Sequence, residues 1–360
     1  MRMMIGLGLL GVLWGAPAPA QELPSPALLV LHKGENAMAV VDPATGKVLG
    51  RVRVGEDPHE LTVSTDGKLA FATNYSGAIE RGSNSLSVID LASLKEIHHV
   101  ELTPLSRPHG LWFADGKLYF TAEGSMAIGR YDPKTNKVDW VLGTGQDRTH
   151  MIIVGKDQKI FTSNVSANTI SIIEKGGPGG PGGGPPGGPG GRPPGGPGGR
   201  PLGGFGGGPS WHQTVVPVGR EPEAIDLSPD GKQVWTAHSG DGLVSVIDVA
   251  SKKVIRTIDL ATRGANRLKF TPDGKTVLIS ILGGSGGLVV VDAESGTIKK
   301  RLEEGQGASG ILIPPDGSEA FVALTGENTI AVIDLKTLQE SRRLKTGTGP
   351  DGMAWLEGKR

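Results

Sequence analysis

Residues 222–260, PEAIDLSPDGKQVWTAHSGDGLVSVIDVASKKVIRTIDL, hold four short runs rich in Val, Ile and Thr. Turn residues part the runs at Pro229, Asp230 and Gly231, at Ser239 to Gly242, and at Ala250 to Lys252, which predicts a four-stranded antiparallel meander. The first and third runs are nearly continuous in apolar residues, so the sheet must be covered on both faces. A lone sheet of about 40 residues cannot cover itself, and copies of the same unit must do it.

One marker finds the copies: the acid that closes the third run, Asp248 here, recurs as Asp42, Asp90, Asp132, Glu174, Asp292 and Asp334. Successive spacings are 48, 42, 42, 74, 44 and 42, and the 74-residue step contains a 34-residue Gly/Pro tract, residues 176–209, without which it is 40. Seven repeats of about 40 to 45 residues predict an all-β fold, a seven-bladed β-propeller of four-stranded antiparallel blades. Its closure is legible at the termini. Residues 351–359 match the first strand and turn of a repeat, whereas the chain from Ala27 starts at a second strand. One blade should therefore take its inner strand from residues 351–356 and its outer three from about 27–54, latching the ring.

Lys plus Arg number 37, Asp plus Glu 37, and there is no Cys. Zero net charge gives no electrostatic pull on duplex nucleic acid, and the lack of cysteine excludes disulfides, thiolate catalysis, iron–sulfur clusters and thioether-attached haem. Residues 1–20 carry Arg2, an apolar run from Met3 to Trp14 and the small-residue site Ala18-Pro19-Ala20. That run is shorter than the roughly 20 residues of a span, so it reads as a signal peptide cleaved after Ala20. The expectation is a periplasmic or secreted protein with no transmembrane segment in the mature chain, residues 21–26 as a short leader and 27–360 as the propeller. The tract 176–209 lacks collagen register and predicts a disordered loop inserted in one blade. The Asp-Gly-Lys turns at Asp66, Asp115, Asp230 and Asp273, with variants at Asp157 and Asp316, read as hairpin turns.

Chemistry is expected where the inner strands start around the central channel. The residues opening the seven inner strands are His59, His109, His150, Glu223, Asn266, Gly310 and Asp351. The ends of the second strands, on the same face, include His32, Asn74, Glu123, Asn164 and His238. A purely structural bond should recur in every blade, yet the opening column changes identity from blade to blade. His59, His109 and His150 on three consecutive blades form a candidate divalent-metal site, completed by Glu223, Asp351 or Glu123. Arg107, Arg148 and Arg220 lie two or three residues before the channel position and offer an organic carboxylate or phosphate bidentate hydrogen bonds. No nucleophile elbow or phosphate loop is present. With aromatics at 4%, only Tyr75 and Trp112 could stack single-stranded bases near the rim.

Ser228 to Lys232, Val244 to Asp248 and Lys253 to Ile258, with Ala72-Thr73-Asn74 and Thr162-Ser163-Asn164, resemble the repeat of the YVTN-type β-propeller family, which includes YncE-like exported proteins. The resemblance covers residues 27–360. It implies the same fold and a broad choice of function, since similar propellers serve as surface antigens, single-stranded DNA binders, lactonase-like and lyase enzymes and the haem-binding domain of a nitrite reductase. Because fold does not fix function, the site residues decide. They favour a binding module for a small ligand, metal or partner protein on the histidine-lined face. The alternative is a metal-dependent lyase or lactone hydrolase using that same face.

Overall fold

The computed structural model describes residues 26–75, 84–176, 210–283, 286–303 and 305–357. Residues 1–20, read above as a signal peptide, residues 21–25 of the expected leader and nearly all of the Gly/Pro tract lie outside the described residues. Seven four-stranded antiparallel sheets form the seven blades. Blade I joins the two ends of the chain: Pro350–Leu356 pairs with Ala27–His32, which pairs with Ala37–Val41 and then Val48–Arg53. The inner strands of blades II to VII are Pro58–Val63, Pro108–Ala114, Thr149–Val154, Asp226–Leu227, Ala265–Phe270 and Ala308–Leu312.

Seven apolar clusters hold the ring, each shared by two neighbouring blades. Alternation along one strand feeds two of them. Leu29 and Leu31 pack toward blade II, while Leu28 and Val30 pack toward blade VII. The second and third strands are therefore buried on both sides, as in Leu69–Asn74 and Ser85–Asp90. The expected continuous burial of the first strand is weaker, since Pro58–Val63 is only half-buried at four positions. Its outward course is interrupted because one side borders the channel. Trp235 stacks edge-on with Phe270 across blades V and VI, and Phe321 meets Trp355 across the closing blades.

The marker acids act as turn caps. Asp42, Asp90, Asp132, Asp248, Asp292 and Asp334 each accept a backbone N–H two or three residues on. Glu174, longer by a methylene, instead pairs with Lys252 of the next blade.

Two further devices shape the channel face. In six blades the pairing of the first and second strands, or of the first two strands of the chain's split blade, shifts register near the channel end; such bulges re-aim side chains. In blade V the inner strand breaks instead, leaving a single bridge between Pro222 and His238. At each of four junctions one hydroxyl then bolts neighbouring inner strands together: Thr73, Thr121, Ser163 and Ser280 accept from the amides of Glu60, Gly110, Met151 and Arg267. The same hydroxyls donate to the carbonyls of His109, His150, Glu223 and Ser309. Ser309, rather than Gly310, thus opens the inner strand of blade VII. Gly310 belongs one place on with Gly110 and Gly352, where an added Cβ would lie 2.2, 2.7 and 2.3 Å from the next blade's carbonyl oxygen.

Candidate functional site

The bulges and hydroxyl bolts carry His109 and His150 onto adjacent inner strands, with ring centroids 3.9 Å apart and both side chains buried. Glu123 follows the second strand of blade III and is also buried. One ligand atom from each of His109, Glu123 and His150 lies within 4.8 Å of the others. His59 extends the row, 5.0 Å from His109 between ring centroids, and Tyr75 packs on both at 4.6 and 5.4 Å.

His150 is held between two carboxylates. Its Nδ1 bonds Glu123, and its Nε2 lies 2.8 Å from Glu223 Oε2, off the line of a hydrogen bond but within ion-pair range. Burial alone would lower its pKa, but Glu223 and Glu123 outweigh burial and raise it. The converse holds for Glu223: burial opposes its charge, yet His150, then Arg148 and Arg267, bring its pKa down to about 2. Glu123 is likewise lowered against burial by His150, with Tyr75 donating to it at 2.5 Å. His109 differs from its neighbour. Burial, with His150 and His59 adding to it, pushes its pKa well below the ordinary value, and its Nδ1 has no partner. His59, lowered by burial and by Lys33, keeps Nδ1 on the Asp57 carbonyl at 2.9 Å.

Across the channel a second polar group faces these rings. Arg267 of blade VI reaches Glu60 of blade II at 2.5 Å, and Lys33 pairs with Asp351 at 2.6 Å. Burial opposes ionisation of Asp351, but Lys33 and Arg267 hold its pKa down.

The sequence-predicted residues therefore separate. His59, His109, His150, Glu123 and Glu223 come together; Asp351 is on the same channel but already has an ammonium partner. Arg148 lies 3.7 Å from Glu123 and 3.4 Å from Glu223, and Arg107 donates to the Tyr75 hydroxyl at 2.6 Å. Arg220 is exposed, its backbone amide bonded to Asp241. Asn266 is half-buried beside Arg267 and accepts from it.

His32, Asn74, Asn164 and His238 are buried within their blades: Asn74 donates to Ser85 and Ser87, Asn164 to Thr169 and Ser171, His32 bonds Thr346, and His238 bonds Asp241. Glu123 is one place beyond that column, level with Lys33 and Tyr75, whose amides make the equivalent backbone bond. Sequence reading missed Lys33, Glu60 and Arg267 and gave Tyr75 only a stacking role. A charged residue one place past each predicted position was the available signal.

Residues 215–318 match the cytochrome D1 heme domain family. No curated protein sequence matches the chain. Among solved structures, a Bacteroides uniformis protein described as a "putative 6-phosphogluconolactonase" superposes with a TM-score of 0.69 at 16% identity, covering 92% of this chain and 99% of its own. A Bacteroides fragilis protein of the same description gives 0.70 at 15%, covering 94% and 99%. Dihydro-heme d1 dehydrogenase NirN, in complex with DHE, gives 0.60 at 16%, covering 94% of this chain and 77% of its own. At these identities the likeness is one of fold.

Proposed function

We propose that the chain is an exported, YncE-like binding propeller whose channel face takes a divalent transition-metal ion between His109, Glu123 and His150, with Glu223 as a further oxygen donor. A small ligand or partner protein engages the same face above the ion. One observation carries this reading: three residues each bring a potential ligand atom within 4.8 Å of the others, and one of them, His109, is a buried imidazole whose Nδ1 has no partner. Two imidazoles with carboxylates suit zinc and its first-row neighbours. The positive charge that Glu223 and Glu123 favour on His150 by raising its pKa stands where the ion's charge would act.

A haem-type group fits these residues poorly. The matched segment 215–318 brings only Glu223 and Arg267 to the site and none of its imidazoles. His109, whose Nδ1 has no partner, is 3% exposed and packed by His59, His150 and Tyr75, so this imidazole offers no face to a macrocycle. Single-stranded DNA finds no platform in Tyr75, which packs against the same histidines.

Zinc titration of the purified protein tests the reading. The parent and His98→Ala, on an outer strand, should bind one ion alike, whereas His109→Ala, His150→Ala and Glu123→Gln should each weaken binding at least about tenfold. Undiminished binding in all three would contradict it. A lactone and ester screen on the same samples addresses the alternative, since turnover that disappears with the ion would make the chain a metal-dependent lyase or lactone hydrolase.

A further inference from the structure

The residue two places before each channel position (His59, His109, His150, Glu223, Asn266, Ser309 and Asp351) is left-handed in all seven blades: Asp57 (φ 50°), Arg107 (57°), Arg148 (54°), Glu221 (56°), Gly264 (84°), Gly307 (73°) and Gly349 (64°). A recurring bond imposes this. The carbonyl of each accepts the amide of the residue just past the second strand of its own blade, from Lys33 to Gly349, Tyr75 to Asp57, Glu123 to Arg107, Val165 to Arg148, Ser239 to Glu221, Leu282 to Gly264 and Thr325 to Gly307. The backbone role is constant and leaves the side chain free to vary. Glycine suits the position best and three blades use it; a short Asp tolerates it through local hydrogen bonding. Arginine has neither advantage, yet it stands at this position in the two blades that carry His109 and His150.

The two guanidinium groups sit where such strain has a use. Arg107 lies over the Tyr75 ring at 4.9 Å, and Tyr75 packs edge-on against His109. Arg148, with its side chain 40% exposed, approaches Glu223 and Glu123 only to 3.4 and 3.7 Å, too far for good hydrogen bonds.

We propose that Arg107 and Arg148 clamp an oxyanion, a carboxylate or a phosphate group, carried by the ligand of this face. The inference takes the location of the site from the reading above and adds the chemical class of what binds there. Arginine's planar fork offers paired donors matched to either group.

The test uses inorganic phosphate and citrate as probes, titrated calorimetrically into the full mature chain with and without zinc, alongside thermal unfolding. The parent should bind at least one probe, and whichever binds identifies the phosphate or the carboxylate form. Arg107→Gly and Arg148→Gly should each weaken that binding roughly tenfold, while the unfolding midpoint stays level or rises by about 2 °C as strain is relieved. Arg107→Lys and Arg148→Lys retain charge and strain, and should fall between parent and glycine variants in binding. Weakened binding without a fall in the unfolding midpoint is the mark of a binding role. Failure of the parent to bind either probe would overturn the inference, as would glycine variants that bind undiminished. Zinc binding with no anion binding defeats this inference alone; anion binding lost in the glycine variants of a protein that takes no zinc defeats the metal reading alone.

Discussion

His32 should make the fold acid-sensitive by an amount that can be worked out. It closes a strand that is buried along its whole length, its Nε2 is 3.0 Å from Thr346 Oγ1, and its Nδ1 has no partner. Burial, offset in part by Glu35 and reinforced by Arg51, lowers its pKa from 6.5 to about 4. A base whose folded pKa is depressed is protonated first in the unfolded chain. Its contribution is therefore complete above pH 6.5, declines as pH falls, and levels off below 4, where the folded protein also takes the proton. At about 1.4 kcal/mol per pH unit, the interval corresponds to about 3 kcal/mol. Urea unfolding of the parent and of His32→Gln between pH 7.5 and 4 isolates this effect, because His59, His109 and His238 titrate in both proteins. The stability difference should move in the variant's favour by about 3 kcal/mol across that range. A difference that stayed constant with pH would refute the assignment of a buried, neutral His32.

Three other outcomes follow from the same structure. Deleting residues 350–360 removes the inner strand of blade I, with Ala354, Leu356 and the Trp355 contact to Phe321; it should cost at least about 5 kcal/mol and abolish the single cooperative transition seen by circular dichroism. Lys175 pairs with Trp211, and Gly176 donates to the Ser210 carbonyl, so replacing residues 177–209 with a short turn should leave the melting midpoint within about 2 °C. Zinc affinity should fall about tenfold per pH unit below the raised pKa of His150, with one proton released per ion measured calorimetrically in buffers of different ionisation enthalpy. His109 adds none, being neutral already, and Glu123 and Glu223 are already ionised.

The ring was legible because burial on both faces of the middle strands and a capped turn after each third strand recur in the residues themselves. Asp248 and Asp292 mark their turns by the same bonds that made the spacing visible, and even the exception, Glu174, kept the period while changing its partner. The candidate site was legible only in part. A periodic reading assigns one residue per blade to the channel, whereas a bulge adds a residue and lets neighbours such as His59 and Glu60, or Asn266 and Arg267, both face polar surroundings. That is why Arg267 was passed over for Asn266 and why Glu123 was grouped with Asn74 and Asn164, which only bind their own blades. The pairing of Arg267 with Glu60 joins blades on opposite sides of the channel, a relation that no local spacing encodes.

The most direct test of the proposed metal site is a crystal of the protein grown with zinc, with anomalous difference maps collected on both sides of the zinc edge. The account predicts one peak bounded by His109, His150 and Glu123, at about 2.0 to 2.2 Å from their nitrogen and oxygen atoms. A peak elsewhere on the propeller, or none at these residues with the site otherwise ordered as described, would contradict it.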